Sequence, residues 1–357
     1  MVVAALTLGG CATRLGPQTI PGARFNYNDK IARSQNDQLL LNLVRLKYRD
    51  TLVFLDVGTV IAQYTLAGQV GAAPRINADG SGKTELGLDL GASYSEQPTI
   101  TYEPLQGAEF TQRLLTPVSP FTLVLLSQSG WSIERLMLCC VEAVNGITNA
   151  PAASGPTPER LPDNSEFREL AGLLRELQVA GLLEFQTTDG EQGEAVLFHI
   201  ASPDDEANPP LALARVRKLL QLDEQKTLFE LTGRGLRRGT GEISVTGRSL
   251  LGALFFLSNG VDAPEEHERK GLVTVTKGQE PGRLDWNTVT GDLLKVSSAA
   301  GDPPDAFVRI RYRGHWFYIS DSDLQSKATF NLLTYLFSLQ AAGAEGGSPL
   351  LTVGVTR

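Results

Sequence analysis

Two stretches of this sequence, Val60-Ile-Ala-Gln-Tyr-Thr-Leu-Ala-Gly-Gln-Val70 and Thr84-Glu-Leu-Gly-Leu-Asp-Leu-Gly-Ala-Ser-Tyr-Ser95, decide how the rest is read. In the second, Leu86, Leu88, Leu90 and Tyr94 occupy one parity, and Glu85, Gly87, Asp89, Ser93 and Ser95 the other. A period of two is the signature of a strand with one apolar face. The first stretch matches it through Val60, Ala62, Tyr64, Leu66, Gly68 and Val70. Between them lies a polar, glycine-rich tip, Asn77-Ala-Asp-Gly-Ser-Gly82, so residues 51–102 are expected to form one β-hairpin. Each arm has about twenty residues, several times an ordinary strand. Two readings stay open. The hairpin is either a twisted soluble ribbon bent by its glycines, or an arm given to a barrel shared between subunits. A tilted barrel strand needs only about nine to eleven residues to cross a bilayer.

Upstream, Asn28 to Arg49 has an apolar stripe of Leu39, Leu40, Leu43, Val44 and Leu46, with Arg45, Lys47 and Arg49 crowding its end. That pattern predicts an amphipathic helix whose basic end complements the helix dipole. Residues 12–24 have little pattern and carry Gly16, Pro17, Pro21 and Gly22, as a tether would. The chain opens Met1-Val-Val-Ala-Ala-Leu-Thr-Leu-Gly-Gly-Cys11-Ala12. A short apolar run ending in small residues before a cysteine reads as the tail of a secretory signal. Leu8-Gly9-Gly10-Cys11 resembles the lipobox of bacterial lipoproteins. The resemblance implies cleavage before Cys11, acylation of its thiol and new N-terminus, and a firm lipid anchor. Ala12 stands where an inner-membrane lipoprotein typically carries aspartate. The resemblance therefore implies an outer-membrane lipoprotein on the periplasmic side, covers only these dozen residues, and is silent on activity.

Composition bounds the rest. The 357 residues are 42% hydrophobic and 20% charged, enough for a large core in two or three domains. No apolar run is long enough to span a bilayer as a helix. A net charge of −8 argues against a nucleic-acid partner. Beyond Cys11 the cysteines are Cys139 and Cys140, adjacent in a helical pattern. Neighbouring helical side chains diverge, so these are expected to be buried free thiols. No zinc or disulfide spacing is present.

Downstream of the hairpin, short helical patterns fill 103–147, and Asn149 to Pro162 carries Pro151, Pro156, Pro158 and Pro162. That proline-rich stretch is the expected domain boundary. It separates a helix-plus-hairpin domain at 25–148 from an α+β domain at 163–357, which divides into 163–260 and 261–357. Glu166 to Gln178 reads as a helix followed by two short strands, like the end of a winged-helix module or any small α+β unit. Further strands are expected at 227–232, 242–246, 272–276 and 307–319, with helices at 211–222, 249–259 and 323–340. Leu350 to Val355 reads as a closing strand. Helices and strands mix without a regular βα repeat, so the fold class is α+β.

Three motifs invite chemistry. Gly80-Ser-Gly-Lys-Thr84 resembles the end of a phosphate-binding loop, but Asn77 stands where its first glycine belongs and a strand pattern follows Thr84. The histidines are His199, His267 and His315. None has a nucleophile elbow or a His-Glu-x-x-His helix beside it, and His267, within Glu265-Glu-His-Glu268, reads as part of a solvated loop. Arg309, Arg311 and Arg313 alternate with Ile310 and Tyr312, which would put three guanidiniums on one strand face. Such a row can take an anionic lipid, glycan or acidic protein surface, or pair with Asp302, Asp305, Asp321 and Asp323. No catalytic constellation, cofactor motif or metal site emerges. The expectation is a non-enzymatic envelope lipoprotein, anchored through Cys11, acting as an assembly or scaffold subunit. It associates with itself or other envelope proteins, in one version as a ring donating hairpins to a pore. The other version is a monomeric periplasmic ligand-binding or adaptor lipoprotein using the arginine face.

Overall fold

The computed structural model describes residues 20–76, 84–190, 193–200, 210–233, 239–277, 285–341 and 351–354. The chain is α+β. It divides into a larger unit, residues 1–53 and 106–343, and a smaller one, residues 54–105 and 344–357.

The first half of the chain runs α1 (Ile20–Lys47), β1 (Leu55–Ile76), β2 (Thr84–Pro104), α2 (Ala108–Leu115), α3 (Pro120–Gln128), α4 (Ile133–Cys140), β3 (Val141–Val144) and β4 (Ile147–Thr148). It continues through α5 (Ser165–Val179), β5 (Leu183–Gly190), β6 (Gly193–Ile200), α6 (Leu211–Leu220), β7 (Leu228–Thr232) and β8 (Glu242–Gly247). The last part is α7 (Leu250–Ser258), α8 (Glu265–Arg269), α9 (Asn287–Thr290), β9 (Ser297–Ala299), β10 (Ala306–Tyr312), β11 (His315–Ser320), α10 (Leu324–Ala341) and β12 (Leu351–Gly354). No described helix is long and apolar enough to cross a membrane.

The larger unit is built on a mixed sheet in the order β4-β3-β8-β7-β6-β5, antiparallel except for the β7–β8 pair, and a small sheet, β10-β11-β9. The helices bury the stripes that their sequences carry. In α1, Leu40, Leu43 and Val44 are wholly buried, against α7 and β10. In α5, Phe167, Leu170, Ala171, Leu174 and Leu177 repeat at three- and four-residue steps and are buried. Helix starts follow local chemistry: Ser119 and Ser249 accept backbone N–H bonds from Thr122 and Gly252, at 3.1 and 3.0 Å. Cys139 and Cys140 end α4 as buried free thiols.

Four expectations are corrected. The proline-rich stretch at 149–162 is no domain boundary, because β3 and β4 before it share a sheet with β8 after it. Asn149, Ala150 and Ala153 are buried there. Arg248 also reaches from beyond the stretch to the carbonyls of Leu138, Val141 and Asn149, uniting what the prolines seemed to separate. The 163–260 and 261–357 subdomains merge as well, since the Asn164 side-chain amide donates to Val289 O at 2.9 Å and Val296 N–H donates to Gly260 O at 3.0 Å. The expected strand at 272–276 is absent; Lys277 instead makes a single bridge to Arg160. The tether expected up to residue 24 is already helical from Ile20.

The smaller unit is the long hairpin, with β12 added to β2 in the order β1-β2-β12. Thr84 opens a strand, not the helix a phosphate-binding loop needs. The tip residues 77–83 lie outside the described residues.

Candidate functional site

The β1–β2 register is antiparallel from Leu55↔Pro104 to Ile76↔Thr84, with one irregularity between Val57 and Thr59. Beyond it the pairing joins residues of like parity. Val60↔Ile100, Ala62↔Pro98, Leu66↔Tyr94, Val70↔Leu90, Ala72↔Leu88 and Pro74↔Leu86 fall on one face. Gln63↔Gln97, Thr65↔Ser95, Gln69↔Gly91, Gly71↔Asp89 and Arg75↔Glu85 fall on the other. The two alternations seen in sequence are therefore in phase; a one-residue slip would have mixed them. Glu96, opposite Tyr64, and Thr84, opposite Ile76, are the exceptions on the apolar face. β12 continues the phase, since Leu351 pairs with Tyr102 and Val353 with Ile100. No described strand pairs with the other edge of β1, nor with β2 between Thr84 and Pro98.

In the larger unit, polar groups gather where α1 ends. The Tyr48 hydroxyl lies 2.6 Å from His267 Nδ1, with both residues buried. His267 packs edge-on against His315 at 4.9 Å, and His315 Nδ1 is buried without a hydrogen-bond partner. Tyr312 donates to the Asp50 carboxylate, and Arg313 donates to the same oxygen at 2.8 Å while stacking 5.2 Å from the Tyr48 ring. Burial raises the Asp50 carboxyl, but the bonds from Tyr312 and Arg313 outweigh it and hold the group below the usual carboxylate range. Burial pushes the Tyr48 phenol up, and burial followed by the neighbouring His315 pushes His267 down. Both pieces are thus held neutral and act as a hydrogen-bonded joint between α1, α8 and the β10–β11 hairpin. The sequence reading missed this joint, and it misplaced His267, which is 4% exposed on α8 and not in a solvated loop.

The arginine row is split. Arg309 and Arg311 lie on β10, but the strand ends at Tyr312, and Arg313 with Gly314 forms the two-residue turn to β11. Both turn residues have positive φ, 48° and 87°, as a type I′ hairpin requires. That turn carries Arg313 off the strand and onto Asp50. Arg309 pairs with Asp302 at 2.8 Å and donates to Pro303 O at 2.7 Å. Arg311 alone of the three is exposed with no ion pair among the described residues. Cys11 lies outside the described residues. Among those described, no group of three or more His, Cys, Asp or Glu side chains is placed to hold a metal.

Comparison with known proteins returns no match, whether to a protein-family model, a curated protein or a solved structure.

Proposed function

We propose that this chain is a non-enzymatic lipoprotein of the outer membrane, anchored through Cys11, that assembles with copies of itself and gives its β-ribbon to a shared barrel. The observation that carries the reading is the in-phase register of β1, β2 and β12. A ribbon with one apolar face has long edges on β1 and β2 that no described strand pairs with, and such edges present rows of backbone N–H and C=O groups. Inside a bilayer those groups must be met by other strands, and only a closed barrel meets all of them. From Tyr64 to Ile76 the strand rises about 40 Å, and at a tilt near 40° this spans about 30 Å, matching the hydrocarbon core. Three strands cannot close a barrel. Neighbouring copies, each offering a β1 edge and a β2 edge, supply the rest head-to-tail.

The test uses the register. Ala72 and Leu88 are partners, so replacing residues 73–87 with Asn-Gly closes a two-residue turn without shifting any remaining pair. Imaging of detergent-extracted full chain should show rings for the unaltered protein and smaller particles for the shortened one. The stability of the larger unit should change by less than about 0.5 kcal/mol. Monomers in the unaltered protein, or unchanged association in the shortened one, would refute the barrel. Monomers would favour the second reading, a periplasmic ligand-binding or adaptor lipoprotein, for which a polar cleft beside Lys47 is the supporting feature.

A further inference from the structure

Between α3 and the six-stranded sheet of the larger unit lies an apolar slot of about 70 Å³. Its floor is built by register. Val144↔Val245, Ile243↔Leu231 and Phe198↔Phe185 are cross-strand pairs that line it from β3 to β5. Five neighbouring strands make that floor about 19 Å long at the usual strand spacing. The roof is α3, which contributes Pro120, Leu123, Val124 and Ser127, the positions i, i+3, i+4 and i+7 of one helix face. Leu136 and Met137 of α4, Leu174 of α5 and Leu220 of α6 complete the lining.

The lining fixes the chemistry of an occupant. Among the described residues of the slot, Ser127 alone has a polar side chain, and its Oγ already accepts from Gln178 Nε2 at 3.1 Å. A polar atom inside would lose water and gain no partner, so what enters must be hydrocarbon. Volume narrows the class further. An engineered apolar cavity of about 150 Å³ takes benzene. This slot has about half that volume spread along five strands, which suits a slim chain and not a ring. The way in is beside α3. Pro120, Leu123, Ser127, Phe185 and Leu231 are half-buried, whereas Val124, Leu136 and Ile243 behind them are buried. Helix α3 is apolar all round, through Phe121, Leu123, Val124, Leu125 and Leu126, yet only Val124 is fully buried. A helix of that kind ordinarily lies in a core; here it is a cover. Its C-terminal end is pinned by two neutral amides. Gln128 donates to Phe185 O on β5 at 3.1 Å, and Gln178 donates to Trp131 O at 3.1 Å.

We propose that this slot takes the unbranched aliphatic chain of a single-chain amphiphile, with the tail inside and the head in water. The inference holds for a monomer and for a ring alike, so its failure leaves the barrel reading untouched. Titration calorimetry on the full chain would use straight-chain hexanol, octanol and octanoate, with cyclooctanol as a ring of equal carbon number. Octanol should bind saturably, and more tightly than hexanol by about fourfold per methylene, the worth of one buried CH₂. Octanoate should bind no more tightly than octanol, because no cation lines the slot, and cyclooctanol at least about tenfold more weakly. The long hairpin also has an apolar face, so variants locate the site. Leu123→Trp in the roof and Leu231→Trp in the floor should each fill the slot and weaken octanol at least about tenfold. Leu125→Trp, on the same helix but 44% exposed and outside the lining, should leave it unchanged. Melting curves check that the variants fold. If neither filled variant does, Leu123→Ala decides the matter: it should widen the slot and admit cyclooctanol, and exclusion of the ring would count against the site. The proposal is overturned by octanol that does not bind saturably up to its solubility, or by octanol binding indifferent to both filled variants. Cyclooctanol or octanoate binding more tightly than octanol would overturn it too.

Discussion

Replacing Arg248 with Met should unfold the larger unit more than any surface change. Arg248 is 1% exposed, and its guanidinium donates to Leu138 O at 2.9 Å, Cys139 O at 3.3 Å, Val141 O at 3.1 Å, Asn149 O and Ser154 Oγ. It also lies 3.9 Å over the Phe256 ring. Burial pushes its pKa down to about 10, still far enough above neutrality to keep it cationic. Arg248→Met keeps the apolar stem and removes every donor. Leu138 O and Val141 O would retain the Asn149 side-chain amide, which donates to each at 2.9 Å. Cys139 O and Asn149 O have no other side-chain donor among the described residues, so two acceptors are orphaned at about 1–3 kcal/mol each. Loss of the ring contact adds about 2 kcal/mol, while relief from burying a cation offsets part of the sum. The net loss should be about 3–5 kcal/mol, a drop in melting temperature of about 10 °C for a unit of this size. Urea unfolding followed by circular dichroism would measure it, with exposed Arg311→Met as a control expected within about 0.5 kcal/mol. A loss below about 1 kcal/mol for Arg248→Met would show that these bonds do not unite the segments on either side of the proline-rich stretch.

Two further outcomes are expected. Expression from a start that supplies a complete signal, followed by labelled palmitate, should mark the protein but not Cys11→Ser; equal labelling of both would remove the anchor from Cys11. His267 is held below its ordinary pKa of 6.5, so as pH falls through about 6.5 the unfolded chain takes up a proton that the folded chain resists. Stability contributed by neutral His267 is thus complete above that pH and is lost progressively below it. Urea midpoints at pH 7.5 and 5.5 should differ less in His267→Gln than in the parent protein, and an equal difference would place the acid sensitivity elsewhere.

Local pattern determined much of this molecule. The stripes that bury α1 and α5 are written at three- and four-residue spacing, and the strands of the long hairpin at spacing two. A few neighbouring residues suffice to specify such elements, because the helix and strand repeats are properties of the backbone itself. The tertiary structure decided what depends on residues far apart. His267 looked solvated among its acidic neighbours, yet its partner Tyr48 stands 219 positions away. The arginine row was legible as alternation, but a turn with positive φ at Arg313 and Gly314 sends its third member to Asp50. Prolines at 151–162 looked like a boundary, since proline interrupts regular elements, but nothing local records that a sheet and a buried guanidinium span them. The register that puts both hairpin faces in phase, the pairing of β12 with β2 and the carbonyls gathered by the Arg248 guanidinium likewise exist only when distant segments meet. Hydrogen-bond satisfaction is a property of the packed chain, and one-dimensional spacing does not encode it.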